Sequence, residues 1–558
     1  NDDIHHQIRA WLKTRLQNED QHPMLKEMAI QRAKFMMDCV TGSPLVKDTQ
    51  LFARNVRCFA FFRVPFDGKI EEPAKVYEWL NRIRDLNSQL SGAMGSIGIH
   101  PKALGKGETK RLIMQLMNPH YSPEELDRQM SGTGYENSFS NFVMRGTRMT
   151  VNEKDGSISF TGGKEDRDRI ATVITVDQYP EELGIQDTRN LMGAPFNRED
   201  CIPDAFWMWT AIEVLDPDRA KSEMLVRLGA MNKQALSESA WIRSMQGPLM
   251  KRKDQTETFM DICSKGHPPC RMMTGIVVFS PKDRAASAGE SVTSLWRKAG
   301  FQASVETNIG LPLFNAAMPW GYSAMFDSGN KGLQRMEMVH TFNAACAIPV
   351  AADWRGHSIA SGGPTLFSRR GQIASINLLQ SETNYNITVV ADSGAGKSFT
   401  MAEFITTYLS MEGMVRVIDA GASYARLAEL IGGENLVFSP SDRKSMNPFW
   451  GIKTVDQLNE EMPTLKELVI MMAYPAESET SWASAQMEEG VKGAWQTAGA
   501  SMGTDEIYEW FLAQSRVVST EDGPRAFRYK DIADQRKPYT RQGRHGPWFN
   551  GEPQIHLS

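Results

Sequence analysis

The sequence is poor in cysteine and in long apolar runs. A disulfide-scaffolded secreted protein carries more cysteine, so this composition favours a reducing cytoplasm. No apolar run approaches 18 residues, so we expect no membrane-spanning helix here, and we expect no secretory signal peptide. The six cysteines among 558 residues are Cys39, Cys58, Cys201, Cys263, Cys270 and Cys346.

An excess of positive charge is also absent. The chain has 62 Lys and Arg against 67 Asp and Glu, a formal net charge of −5. That balance argues against a protein that coats DNA, although it does not exclude a local basic patch. Internal repeats and low-complexity tracts are missing too, and 41% hydrophobic with 23% charged residues is a globular composition. At about 150 residues per domain, the length predicts roughly three or four domains.

The first 340 residues mix helical and strand-like patterns without regular alternation. Leu51–Val64 is rich in aromatic and β-branched residues and predicts a strand. Pro73–Ser88 predicts a helix, and Met144–Thr161 predicts a hairpin that turns at Asp155-Gly156. We therefore predict an α+β region over residues 1–340, made of one or two subdomains.

From residue 341 to 558 the pattern becomes an alternation of strands and helices. Strands are predicted at Asn386–Val390 and Val415–Asp419, with a helix at Ser398–Met411 between them. Such alternation is typical of an α/β domain with a parallel sheet. The Gly-, Ser- and Pro-rich stretch Gly356–Gly371 predicts a loop or domain connection.

A phosphate-binding motif lies between these predicted strands. Residues 391–398 read Ala-Asp-Ser-Gly-Ala-Gly-Lys-Ser, a Walker A pattern with Ala391 in place of its first glycine. Glycines let backbone N–H groups turn toward phosphates, and the helix dipole favours negative charge there. Lys397 would reach the β- and γ-phosphates and the Ser398 hydroxyl would hold Mg²⁺. The predicted cofactors are ATP and Mg²⁺, bound by Ser393, Gly394, Ala395, Gly396, Lys397, Ser398 and Phe399.

Hydrolysis needs a carboxylate near the metal, and the sequence offers few. Asp419 ends the strand after the P-loop helix and is predicted, with Lys397, to act in catalysis. The alternative is a strand-end aspartate that caps the turn Ala420-Gly421. No later segment reads as four apolar residues followed by Asp-Glu, so we expect the Walker B strand to lie outside this sequence.

Two weaker patterns stay open. Arg369 and Arg370 precede the nucleotide-binding strands. They either approach a neighbouring subunit's γ-phosphate or, as we favour, are solvated or pair with a local carboxylate. Cys263, His267 and Cys270 have zinc-like spacing, but only three ligands are local, so we favour a structural interpretation.

Several further motifs surround the P-loop. They are Asn384–Asn386, Ser393–Phe399, Val417–Tyr424, Gly432-Gly433, Met446–Phe449, Asp353–Gly356, Ser368–Gln372, and Lys537–Arg541 with Gly543, Phe549 and Gly551. Together they resemble the TraC family of conjugative type IV secretion ATPases of F-type systems, equivalent to the fourth VirB protein. The resemblance covers about residues 340–552 most specifically.

The resemblance implies a RecA-like C-terminal domain, related to the FtsK and HerA motors, over residues 341–558. It implies a homo-oligomer, with a hexamer expected, on the cytoplasmic face of a bacterial inner membrane. There the N-terminal region would dock on membrane components, and ATP hydrolysis would energise pilus assembly and substrate transfer. The Walker B and late arginine motifs would lie beyond this sequence. A DNA-pumping motor of the FtsK or HerA kind and a nucleotide-dependent structural scaffold remain the alternatives.

Overall fold

The structure is a computed structural model that divides into two compact units. They are Asn1–Leu427 and Ala428–Ser558, and each is described by itself. The described residues are 2–41, 43–47, 51–66, 68–69, 71–132, 142–162, 167–185, 187–193, 200–235, 246–322, 333, 335–350, 353–359, 362–381, 383–437, 444–474, 481–518 and 523–554.

Helices occur in both units, and strands occur in the first. The helices are α1 Asp2–Leu16, α2 Pro23–Thr41, α3 Pro73–Ser96, α4 Lys106–Met117, α5 Pro123–Gly132, α6 Pro217–Ala235, α7 Gln246–Ser264, α8 Ala285–Lys298, α9 Gly310–Ala317, α10 Thr341–Ala347, α11 Lys397–Leu409, α12 Ala425–Leu430, α13 Val455–Ala473, α14 Ser481–Ala498, α15 Thr504–Val518, α16 Gly523–Arg536 and α17 Gly546–Phe549. The strands are β1 Arg148–Val151, β2 Ile158–Thr161, β3 Arg169–Gln178, β4 Ala205–Val214, β5 Pro269–Ser280, β6 Gln302–Val305, β7 Glu337–His340, β8 Thr365–Phe367 and β9 Ile373–Ser375.

A mixed set of helices packs on one antiparallel sheet in the first unit. Its seven strands run in the order β1-β2-β3-β5-β4, with β6 paired to β3 and β7 paired to β5. Strands β3 and β5 are central and nearly continuous in buried residues, because helices cover both faces of the sheet. The predicted hairpin is confirmed as β1–β2, and Gly156 has a φ of +66° at its turn.

The N-terminal helical hairpin α1–α2 forms a separate core with the short ladder β8–β9. Ile4, Ile8 and Trp11 are buried on one face of α1, where they meet Ala33 and Met36 of α2. This spacing is that of one helix face, so the burial follows directly from the 3.6-residue period. The ladder lies inside and just after the stretch that the sequence predicts to be a loop.

The second unit contains helices only, among its described residues. Helices α13, α14, α15 and α16 share one hydrophobic core centred on Phe449, Val491 and Phe511. Gly490 and Gly493 of α14 are needed for this packing. A Cβ at Gly490 would lie 2.4 Å from the Phe511 ring, and one at Gly493 would lie 1.9 Å from the Trp510 indole nitrogen.

The structure does not form the predicted strands next to the P-loop. Residues 386–390 and 416–418 are extended and exposed, Val415 is half-buried, and neither segment has a ladder partner within the described part of the chain. Leu51–Val64 is likewise extended, and its one ladder contact is an isolated bridge between Arg54 and Gln372. Strand pairing requires a partner at a suitable distance, and composition alone does not supply one. The described residues mix helices and strands and include a P-loop segment, and they form no parallel sheet.

Candidate nucleotide-binding site

The P-loop turns into the first residue of helix α11. Gly394 and Gly396 have φ values of +82° and +93°, which side chains with a Cβ rarely adopt. The N–H of Ala395 donates to Asp392 O at 3.2 Å and closes the turn. Gly396 is the N-cap and offers no side-chain hydrogen bond. The first amides of α11 therefore point out of the helix without an internal acceptor, which is the arrangement that binds anions.

Both functional side chains of the motif are accessible. Lys397 is exposed and Ser398 is half-buried at the start of α11. Within the described residues, neither the Lys397 ammonium nor the Ser398 hydroxyl has a hydrogen-bond or ion-pair partner. One helix start thus carries a cation, a hydroxyl and uncapped amides. These groups can bind the phosphates of a nucleotide together with a metal ion. The residues therefore fit ATP and Mg²⁺ chemically.

Asp419 lies at the end of the second extended segment and binds its own following turn. Its Oδ1 accepts from Gly421 N at 2.9 Å, and its Oδ2 accepts from Tyr424 N at 3.0 Å. These backbone hydrogen bonds hold the pKa of the exposed carboxyl below its ordinary value. The carboxylate is thus ionised and anchored in the way that the capping alternative describes, while its metal-linked role stays a prediction.

The far end of α11 is fixed by the N-terminal hairpin and by the chain that precedes the P-loop. Arg32 Nε of α2 lies 3.6 Å from Glu403 Oε1 of α11. The Tyr408 hydroxyl accepts from Leu378 N at 2.9 Å. After α11, Glu412 takes a left-handed φ of +65°, one position before Gly413. A Cβ at Gly413 would lie 2.7 Å from Tyr408 O, which requires glycine there.

Arg15 joins α1 to this anchored end of the P-loop helix. Its guanidinium is 1% exposed and lies 4.1 Å from the Trp11 ring. Its Nη2 donates to Gly362 O at 3.4 Å and to Gly363 O at 3.2 Å, and lies 4.0 Å from Met411 Sδ. Burial lowers the pKa of Arg15 to about 10, and nearby Glu403 partly offsets the shift. Sequence reasoning missed Arg15, although it continues the apolar face of α1.

Arg370 is a structural residue that pairs with a local carboxylate, as favoured from the sequence. It is 5% exposed, its Nη1 lies 2.8 Å from Asp353 Oδ1, and its Nε donates to Gly193 O at 2.7 Å. Asp353 Oδ2 also accepts from the Ser368 hydroxyl at 2.5 Å. Two motifs of the family resemblance, around residues 353 and 370, are thereby tied together. Arg369 is exposed.

The zinc-like spacing does not produce a metal site in the described ranges, where no three His, Cys, Asp or Glu side chains converge. Cys270 is buried, and burial raises the pKa of its thiol to about 11. Among the helices of the same ranges, none combines the length and apolar character that crossing a bilayer requires.

The P-loop geometry agrees with what the sequence matches. A family model described as TraG P-loop domain matches residues 376–557, which places this part of the chain among P-loop nucleotide-binding domains. A second family model, described as TraC protein, matches residues 1–322, more than half of the chain. The chain therefore belongs to the TraC family, which confirms the resemblance drawn from its motifs.

A curated relative supports the same assignment. Protein TraC of Escherichia coli (strain K12) is 23% identical over 556 residues, an alignment that covers 94% of this chain and 59% of the relative. The chain thus spans about three fifths of the length of that relative.

Proposed function

We propose that this chain is part of an ATP-hydrolysing motor of a conjugative type IV secretion system, with its nucleotide site at the start of α11. The observation that carries the proposal is the uncapped N-terminus of α11, preceded by two glycines of positive φ and followed by exposed Lys397. Membership of the TraC family and the P-loop match support it.

Each residue of the loop has a distinct role in this proposal. The amides from Gly394 to Phe399 donate to phosphate oxygens, and the Lys397 ammonium neutralises charge on the β- and γ-phosphates. The Ser398 hydroxyl is a ligand for Mg²⁺, which when bound offsets the charge that develops on the transferred phosphoryl group. Asp419 is proposed as the polar group beside the nucleotide, held ionised by its turn.

We further propose that the two exposed segments beside the loop become strands of a RecA-like parallel sheet. Val390 is 87% exposed and Ile418 is fully exposed. The neighbouring side chains of Ile387, Val389 and Val417 are also exposed. Apolar side chains in short runs of this kind are buried on both sides in parallel sheets. Hydrogen exchange that slows at residues 386–390 and 415–418 when nucleotide is added would support this step.

Residues 1–340 are proposed to dock on inner-membrane components of the secretion system, and residues 341–558 to form the ATPase region. The protein would act as a homo-oligomer, with a hexamer expected, that is peripheral to the inner membrane and energises pilus biogenesis and substrate transfer. Hydrolysis at subunit interfaces would drive the conformational changes.

The test is nucleotide binding and turnover by the full-length protein and by Lys397→Ala. The matched control is Lys453→Ala, which removes an exposed lysine of the second unit. We expect Lys397→Ala to abolish turnover and the control to retain it. Specific activity that rises with protein concentration would support shared sites. Equal activity of Lys397→Ala and the wild type would contradict the proposed site.

A scaffold in which ATP only stabilises an oligomer is the second candidate. It is favoured by one observation, since both oxygens of Asp419 already accept backbone hydrogen bonds. Tight nucleotide binding without turnover, in the presence of the membrane components, would favour the scaffold over the motor.

A further inference from the structure

A long open cavity, called the slot below, lies beside the edge of the main sheet. Residues 52–66 line it on one side and residues 203–214 line it on the other. Strand β4 pairs with β5 through all ten of its residues, Ala205 to Val214. Its other edge has no strand partner within the described residues. An exposed edge of this length presents a row of unpaired N–H and C=O groups, which natural proteins normally cover or interrupt.

A second unpaired extended segment borders the same slot. Within the described ranges, residues 57–66 form no backbone ladder, although they carry the composition of a strand. The Phe59 ring lies 6.0 Å from Trp207 of β4, and the Phe61 ring lies 5.0 Å from Trp320. These ring contacts hold the segment at the side of the slot, and within the described ranges its one backbone hydrogen bond is that from the Trp79 indole to Val64 O at 3.2 Å.

The size of the slot selects an extended polypeptide as its occupant. The cavity measures about 2320 Å³, whereas sites for small ligands hold about 300–1,000 Å³. An added ten-residue strand, roughly 33 Å long at a strand spacing of about 4.8 Å and a layer thickness of about 10 Å, occupies about 1,600 Å³. The slot therefore has more volume than one such strand with its side chains needs.

The charges around the slot select the chemistry of that strand. Seven arginines and four carboxylates line it, an excess of three positive charges in a chain whose net charge is −5. Arg57 and Arg82 are exposed there. A positively charged lining attracts acidic side chains. A segment that pairs with the open edge of β4 must also have free backbone N–H and C=O groups.

We propose that this slot is a docking site for an extended, acidic segment of a partner protein, which adds to β4 as a strand. The backbone of that segment pairs with the free edge of β4. Its alternate side chains pack against Phe59 and Trp207, and its carboxylates face the arginines. The proposal is independent of the nucleotide site.

The probe is a fluorescein-labelled decapeptide of alternating Glu and Val, titrated with the full chain and followed by anisotropy. A Lys/Val decapeptide controls for charge. Two further Glu/Val peptides are N-methylated, one at every Val and one at every Glu, so that each loses the N–H groups of one edge. We expect saturable binding of the Glu/Val peptide and a loss of about tenfold or more for at least one methylated form.

Protein variants locate the binding. Arg57→Glu is expected to weaken the Glu/Val peptide by about fivefold or more. Arg297→Glu, which reverses an exposed arginine of α8 outside the slot, leaves the affinity unchanged. Binding of both methylated peptides as tightly as the unmethylated one would overturn strand addition, and binding of decathymidylate in place of the peptide would identify a nucleic-acid groove instead.

One more experiment separates a partner strand from closure by the chain itself. Cys58 is exposed in the bordering segment. An Ala211→Cys variant adds a thiol to β4 with which Cys58 can form a disulfide if the two segments meet. A Cys58–Cys disulfide that forms under mild oxidation without peptide, and excludes the peptide, would show that residues 57–64 cover the edge themselves. Free thiols without peptide, together with peptide binding, would support the partner strand.

Discussion

The conformation of Gly396 gives the sharpest test of the nucleotide site. Its φ of +93° lies in the region that disfavours a Cβ, yet an added Cβ at this position meets nothing within 4 Å. The cost of Gly396→Ala is therefore backbone strain alone, about 1–2 kcal/mol for a residue with a Cβ held in a left-handed conformation. The exposed free loop of the variant can relax from this conformation, whereas the loop that holds the phosphate must adopt it, so we expect ATP to bind about 5–30-fold more weakly.

Affinity and stability need to be measured on the same variant. Titration with a fluorescent ATP analogue and Mg²⁺ gives the affinity, and denaturant unfolding gives the stability. Gly107→Ala is the matched control, since Gly107 also has free space around it but lies in helix α4. Alanine there is expected to leave ATP binding unchanged and to add up to about 1 kcal/mol of stability. Wild-type affinity in Gly396→Ala would show that nucleotide does not require this loop conformation.

Two buried arginines give opposite predictions for stability, each measured by denaturant unfolding. Arg15→Ala leaves two buried carbonyls unpaired and should cost about 2–5 kcal/mol, whereas Arg9→Ala on the exposed side of α1 should change stability by less than about 0.5 kcal/mol. Arg536 is fully buried, has no hydrogen-bond partner in the described ranges, and burial lowers the pKa of its guanidinium to about 9, well below the ordinary value for arginine. Arg536→Met should therefore stabilise the protein by about 1–4 kcal/mol, unlike exposed Arg544→Met. Because the unfolded chain keeps that proton up to a higher pH, the stability advantage of Arg536→Met over the wild type should shrink as the pH rises above about 9.

Local patterns were enough to predict the P-loop and its helix. Met401, Phe404, Ile405 and Tyr408 recur at helical spacing, and the helix forms from Lys397 to Leu409 as expected. The glycines of the motif carry their own conformational preference, so their positive φ values follow from sequence as well. Each of these features is decided within about four residues along the chain.

The pairing of distant segments was not predictable in the same way. Asn386–Val390 has the composition of a strand, but a ladder also needs a neighbour, and none lies beside it in the described chain. The partners of Arg370 were equally hidden, because Asp353 and Gly193 approach it only through the fold. The burial of Arg15 could have been predicted from the sequence, since Arg15 lies on the same face of α1 as the buried residues Ile8 and Trp11.

The contacts along α11 divide the helix into a free start and a fixed end. Phe399, near the phosphate-binding amides, is 77% exposed, while Thr407 is 4% exposed. The fixed end is held through Glu403, which lies near both Arg15 and Arg32 of the N-terminal hairpin. Glu403 and these two arginines therefore tie α11 to the hairpin α1–α2, whereas the start of the helix keeps its amides and side chains accessible.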